Sequence, residues 1–151
     1  LVDVREDILA RLLVVVAAIP NIRLAQRNSG VDIPEEQLPA VTVFDGDEET
    51  DDAADGSMRP ANRPTVVQMT PEIVIQQQAN EVGSDLTTLR RELIRRVLND
   101  TELNQIVKTG RLGNGAIRYL GCQTDFGYGR SLQGGLLAHF MIQYALKPDD
   151  L

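Results

Sequence analysis

The chain is short of the residues that do chemistry. Of its 151 residues one is cysteine, Cys122, and one is histidine, His139. A single cysteine excludes an internal disulfide and permits a reducing compartment. A single histidine set mid-strand among apolar residues reads as a structural or interface residue, because no nucleophile or second base flanks it. Cys122 reads as a small buried hydrophobe. A Cys122–His139 pair across the last two strands is the one nucleophilic arrangement left open. Long hydrophobic runs are also missing. Ile8 to Pro20 comes closest, but Arg11 interrupts it and it falls short of the roughly 20 apolar residues of a membrane-spanning helix. The residues before it include Asp3, Glu6 and Asp7 against one Arg5, the wrong sign for a secretion signal. The chain therefore reads as soluble, with no membrane partner. Basic excess is lacking too. Fifteen Lys and Arg face 22 Asp and Glu, for a net charge of −7 and a pI of about 4.7. That excludes a protein that grips nucleic acid through a basic surface.

What is present is concentrated. The stretch DGDEETDDAAD carries Asp45, Asp47, Glu48, Glu49, Asp51, Asp52 and Asp55 and no basic residue. Without these seven carboxylates the chain would be neutral, so a balanced body bears one charged segment, expected as a mobile loop over about 45–63. A calcium loop needs glycine at its sixth position and glutamate at its twelfth. Counted from Asp45 those positions hold Thr50 and Gly56, and counted from Asp47 they hold Asp52 and Met58, so neither register fits. Gly110 to Gly115 has the look of a phosphate cradle. It follows a short helix and precedes a strand, the reverse of the order in which such loops present their amides, and so reads as a tight connection. No cofactor or metal is expected. The one dense basic cluster is Arg90, Arg91, Arg95 and Arg96. It reads either as a solvated helix face or as a contact for an acidic surface, and a neighbouring copy supplies such a surface.

The periodicities place these features. Asp3 with Glu6 has capping-box spacing, and Val4, Ile8, Leu12, Val15 and Ile19 then predict a helix over 3–19 that Pro20 ends. IRLAQR (22–27) alternates as a half-buried strand, followed by a loop over 30–37. LPAVTVF (38–44) and TVVQMTPEIVIQQQA (65–79) predict two strands of an antiparallel hairpin with the acidic segment at its tip. Pro39 is expected at a strand start and Pro71 at an edge or a bulge. Ser84 is the expected cap of a second helix whose apolar face is Leu86, Leu89, Leu93, Val97 and Leu98. Asp100 caps a short helical turn, TELNQIV. Residues 116–128 and 135–146 predict two further strands, the last with Leu137, His139, Met141 and Gln143 on one side and Ala138, Phe140, Ile142 and Tyr144 on the other. The fold class is α+β: one domain over 1–151, with an antiparallel or mixed sheet of four to five strands packed by two main helices.

This order of elements resembles the tail-terminator family of long-tailed bacteriophages. The likeness is carried by VREDILARLL, LPAVTVFDGDEE, VVQMTPEIVIQQQ, DLTTLRRELIRRVLND, TELNQIV and GGLLAHFMIQYAL, and it spans nearly the whole chain. The size of the acidic segment departs from the family's pattern. The resemblance implies a virion protein of the tail or neck, assembled in the host cytoplasm. It implies a homohexameric ring around a DNA channel that caps the tail tube, ends its polymerisation and joins tail to head. Its partners would be other copies of itself, the tail tube protein and a head-tail connector, with no catalysis. DNA would pass without specific binding, which suits an acidic protein. Head-completion and stopper proteins share parts of this plan. The residues expected at subunit interfaces or the channel are Asp45, Asp47, Glu48, Glu49, Asp51, Asp52, Arg90, Arg91, Arg95 and Arg96.

Overall fold

The computed structural model describes residues 3–50, 65–78, 84–108, 116–126, 133–148 and 151. The expectations for Gly110–Gly115, for Asp51, Asp52 and Asp55 and for the rest of 51–63 concern residues outside these.

Helix α1 runs from Val4 to Ala17, and Asp3 caps it by accepting hydrogen bonds from the Arg5 and Glu6 amides. The reciprocal half of the capping box is not made, because Glu6 directs both carboxylate oxygens to Arg27. The helix stops two residues short of expectation. The Ala18 amide folds back onto the carbonyls of the last turn, and Asn21, with φ of 72°, helps turn the chain. Strand β1, Leu24–Arg27, begins later than predicted. Arg23 ahead of it already donates its amide to the Pro39 carbonyl, 2.9 Å away. β1 pairs in parallel with β2, Ala40–Thr50. A parallel pair needs a crossover of about a dozen residues. Residues 28–39 supply it, with a 3-10 turn at Glu35–Gln37.

β3, Thr65–Gln78, pairs antiparallel with β2 on one side and with β5, Gln133–Leu146, on the other. β4, Ala116–Phe126, closes the far edge against β5. The five-stranded mixed sheet has the order β1-β2-β3-β5-β4. Helices α2, Ser84–Asn99, and α3, Thr101–Lys108, complete an α+β fold. α3 is the short helix expected over TELNQIV, with Lys108 added at its end. Its cap is Asp100, whose carboxylate accepts the Leu103 amide at 2.8 Å.

All three helices lie on one sheet face. Strand alternation sends Val41, Val43, Val67, Met69, Ile73, Ile75, Leu136, Ala138, Phe140, Ile142 and Tyr144 toward them. These pack with Ile8, Leu12 and Val16 of α1, Leu86, Leu89, Leu93 and Val97 of α2, and Leu103 and Val107 of α3 in one core. A small second cluster, Ile33, Leu38 and Ala40 with Leu24, sits under the crossover. Both edges are managed. β4 carries a bulge in which Leu120 is the extra residue between Tyr119 and Gly121, and bulges blunt edge pairing. β1 covers β2 only as far as Val43.

Two expectations about the hairpin are narrowed or changed. Of the two places expected for Pro71, the edge is excluded, because its strand is paired on both sides, and the bulge is found. Between the pairs Phe44↔Glu72 and Asp47↔Thr70, two residues of β2, Asp45 and Gly46, oppose the single Pro71. The missing amide of Pro71 thus falls where the ladder is already interrupted. The second change is in the acidic segment. It was expected as mobile loop from residue 45, yet Asp45–Thr50 is strand, with Asp47 to Thr50 paired one by one to Thr70 to Val67. Strand pairing of the backbone overrides the poor β-propensity of Asp and Glu here, since their side chains stay at the surface while β3 satisfies the main chain.

Candidate functional site

The acidic arm is built around an arginine clamp. Arg27, the last residue of β1, donates Nε to Asp45 at 2.8 Å and Nη2 to the same carboxylate at 3.0 Å. Its Nη1 and Nη2 reach Glu6 of α1 at 2.6 and 2.9 Å. Arg27 and Asp45 are each about three-quarters covered, their side chains 25% and 24% exposed. One guanidinium therefore ties α1, β1 and the bulge of β2 together. Hydrogen bonding to Glu6 and Asp45 raises the Arg27 pKa further. The same bonds from Arg27 hold the Asp45 and Glu6 carboxyls below their ordinary values. Where β1 ends, side chains continue its work. Asn28 accepts the Asp45 amide at 3.0 Å, and Arg5 donates to the Gly46 carbonyl at 3.1 Å.

Beyond the clamp the arm turns outward. Asp47, Glu48 and Glu49 are exposed. Glu48 accepts the hydroxyl of buried Tyr144, and burial followed by this carboxylate pushes the Tyr144 pKa up. Asp45 thus belongs to an internal clamp, while Asp47, Glu48 and Glu49 face solvent along the arm.

The four arginines of α2 divide in a similar way. Arg90 lies over the Tyr119 ring, 5.6 Å from its centroid, and Tyr119 in turn packs on Phe140 with centroids 5.5 Å apart. Hydrogen bonding to Tyr119 and then to Cys122 raises the Arg90 pKa. Arg90 is therefore a packing residue of the helix–sheet seam. Arg91 is exposed. Arg95 and Arg96 share Glu92, at 2.7 and 3.2 Å, and Glu92 is held below its ordinary pKa by these two partners. The expected single basic cluster is thus one half-buried cation–π contact and an outward set, Arg91, Arg95 and Arg96, around one carboxylate.

Two of that set, Arg95 and Arg96, border a groove of about 300 Å³ between α1 and the α2–α3 junction, lined by Arg11, Val14, Val15, Ala18, Arg95, Arg96, Asn99 and Asp100. Arg11 closes one end. It donates to both Asp100 oxygens at 2.8 and 2.9 Å and reaches Glu102 at 2.9 Å. Hydrogen bonding from Arg11, and then the Leu103 amide, lowers the Asp100 pKa against the opposing effect of burial. In the groove floor Val14 is 55% exposed.

Cys122 and His139 do not meet. Cys122 is paired with Ala138 and packs against the helix-side core, whereas His139, the next residue on β5, points to the opposite face. There its Nδ1 lies 3.8 Å from Glu72. Among the described residues no cluster of three or more His, Cys, Asp or Glu could hold a metal ion, and no helix is long and apolar enough to cross a membrane.

Sequence reasoning missed Arg27, Arg5, Arg11 and Glu92 as organising residues. Arg11 had a usable signal, since a cation within an apolar helix must find carboxylates elsewhere in the fold. Arg27 had none, because its partners lie 21 and 18 residues away with no periodic relation.

No family model matches the sequence, and no curated protein matches it. Among solved structures, the chain is similar to a chain from the virion of a native gene transfer agent particle. The two share 12% identity over 94% of this chain and 92% of that one, with a TM-score of 0.41. At that level of likeness the functional reading is left to the residues themselves.

Proposed function

We propose that the chain is a structural virion protein of the tail-terminator kind. In this reading copies of the chain form a ring, with six as the expected number. The ring caps the tail tube, ends its growth, and meets a head-tail connector on its other side. One observation carries the reading. Each segment behind the family resemblance lies in a single helix or strand, apart from one or two residues at its ends: VREDILARLL lies within α1, LPAVTVFDGDEE enters β2 at Ala40, VVQMTPEIVIQQQ falls in β3, DLTTLRRELIRRVLND covers α2 from Asp85 and ends on Asp100, TELNQIV lies in α3, and GGLLAHFMIQYAL lies in β5.

The electrostatics suit the task. A net charge of −7 repels phosphates, so DNA slides through a ring of such subunits without being held. The protein acts by assembly and not by catalysis, in the virion neck after assembly in the host cytoplasm. The Cys122–His139 enzyme alternative loses its geometric basis, because the two side chains occupy opposite faces of the sheet.

The test is mass in solution and electron microscopy of the purified chain, alone and with tail tubes, followed by binding to tube ends and to filled heads. Rings that cap tube ends are expected. Binding to filled heads alone would reassign the protein as a head-completion or stopper protein. A chain that stays monomeric with tube ends present would overturn the reading.

A further inference from the structure

Helix α1 is apolar on every side past Arg11: Leu12, Leu13, Val14, Val15, Val16, Ala17 and Ala18 follow without a polar residue. A helix that is apolar all round is normally buried all round. Here Leu12, Val15 and Val16 are in the core, but Val14, Ala17 and Ala18 are exposed. The groove beside them has an apolar floor, Val14, Val15 and Ala18, and a rim that includes Arg95 and Arg96. These two guanidiniums share the single carboxylate of Glu92, and exposed Arg91 lies one turn before Arg95. The outer rim is therefore net positive. Arg11, at the inner end, is already matched by Asp100 and Glu102.

The surface of opposite sign is the arm. Asp47, Glu48 and Glu49 are exposed along a strand that β3 holds in register. The arm leaves the body beside the first turn of α1, where Arg5 and Glu6 contact the bulge through Gly46 and Arg27. The groove lies at the last turns of the same helix. Ten residues of helix separate Arg5 from Val15, roughly 15 Å, and the arm is pinned in the sheet, so a subunit does not fill its own groove.

We infer that the α1–α2 groove of one copy receives the acidic β2 arm of the next. Asp47 and Glu49 meet Arg91, Arg95 and Arg96, and the strand edge covers Val14. The inference rests on the ring reading and deepens it by naming the two surfaces that join. When the groove of each copy takes the arm of the next, two different patches join in a heterologous, head-to-tail contact, which closes into a ring where the rotation between copies permits. Single exposed ion pairs are weak, so the contact depends on several charges and on the apolar floor together.

The experiment reverses each patch separately in the full chain. One variant carries Arg91→Glu with Arg95→Glu, the other Asp47→Arg with Glu49→Arg. All four positions are exposed, and thermal melts check that both variants remain folded. The concentration for half-assembly is measured by analytical ultracentrifugation and mass photometry. Each variant alone is expected to need at least tenfold more protein than wild type to assemble. An equimolar mixture is expected to recover wild-type assembly, because every arm then finds a groove of opposite sign on the other variant. Val14→Gln should weaken assembly without rescue by either charge variant. If wild type forms rings and the two variants assemble equally well, or if both fail and their mixture does not recover, the groove–arm contact is overturned while the ring reading stands. If wild type remains monomeric even with tail tubes, the ring reading falls, and the contact with it.

Discussion

The bulge at Gly46 makes the order of the acidic arm depend on a single hydrogen atom. Gly46 has φ of 71°, and a Cβ at this position would lie 1.9 Å from the Thr70 carbonyl oxygen, 2.7 Å from its carbon and 3.1 Å from the Pro71 Cα. All three are backbone atoms, so no side-chain rotation relieves the overlap. Gly46→Ala must adopt a left-handed backbone, at about 1 kcal/mol, and must also push β2 away from β3. The flanking pairs are Phe44↔Glu72 and Asp47↔Thr70. Opening both releases roughly two hydrogen bonds at about 1 kcal/mol each. The expected loss is about 3 kcal/mol, a fall in Tm of roughly 6–12 °C for a chain of this size. Urea denaturation measures the loss, and amide exchange at Asp47–Thr50 locates it. Two glycines serve as controls. Gly121 has φ of 136° with nothing within 4 Å of an added Cβ, so Gly121→Ala should cost only the backbone term, about 1–3 kcal/mol. Gly30 also faces open space and has no positive φ, so Gly30→Ala should be neutral or stabilise by about 0.4–1 kcal/mol. If Gly46→Ala costs no more than Gly121→Ala and the arm amides exchange as in wild type, the close approach of Gly46 to Thr70 is refuted.

Three further outcomes follow from the ion pairs and the sheet faces. Asp100→Ala removes both the α3 cap and the partner of Arg11 and should cost about 2–3 kcal/mol, whereas Asp100→Asn keeps a cap acceptor and should cost about half as much; equal losses in urea melts would show that the cap does not matter. Asp45 and Asp100 are held below the ordinary aspartate value of 3.8 by Arg27 and Arg11 respectively. The stability this supplies is therefore fully present above pH 3.8 and is lost as pH falls through the depressed values. Arg27→Met and Arg11→Met should each flatten that acid limb, and unchanged acid limbs in both would contradict the pairings. Because Cys122 and His139 face opposite sides of the sheet, His139→Ala should leave the rate of Cys122 modification by a disulfide reagent unchanged between about pH 5 and 9, and a slowed rate would contradict the alternation.

The elements with strong periodicity were legible in the sequence. The leucine spacing of α2, the alternation of β5 and the Asp100 cap appear in the structure where the residues placed them. The proline-bearing β3 was legible as a strand because its β-branched residues outweigh one proline, and the bulge was legible as the way to keep Pro71 there. The end of β2 was not legible. Asp, Gly and Glu are poor strand residues, and only the presence of Met69 and its neighbours on β3 makes Asp47–Thr50 a strand. The arginines show the same limit. Sequence proximity grouped Arg90, Arg91, Arg95 and Arg96, but helical geometry turns Arg90 onto Tyr119 and the others outward. The clamp at Arg27 depends on the parallel pairing of β1 with β2, a long-range choice that leaves no local pattern.

The distribution of carboxylates also bears on how copies can meet. β1 protects β2 only to Val43, and Asn28 and Arg5 shield Asp45 and Gly46. Among the described residues the edge from Asp47 onward lies beyond that cover, and a bare strand edge is a template for pairing with its own kind. Two such arms laid edge to edge would bring Asp47, Glu48 and Glu49 of one copy against the same three of another. Like charges opposite one another on adjacent strands destabilise pairing, so symmetric arm-to-arm association is disfavoured by the residues that make the arm acidic. The same charges leave one kind of partner open, a surface of positive sign elsewhere on the neighbouring copy. The acidic segment thus opposes symmetric arm-to-arm pairing, and the head-to-tail contact proposed above keeps like charges apart in a way that such pairing does not.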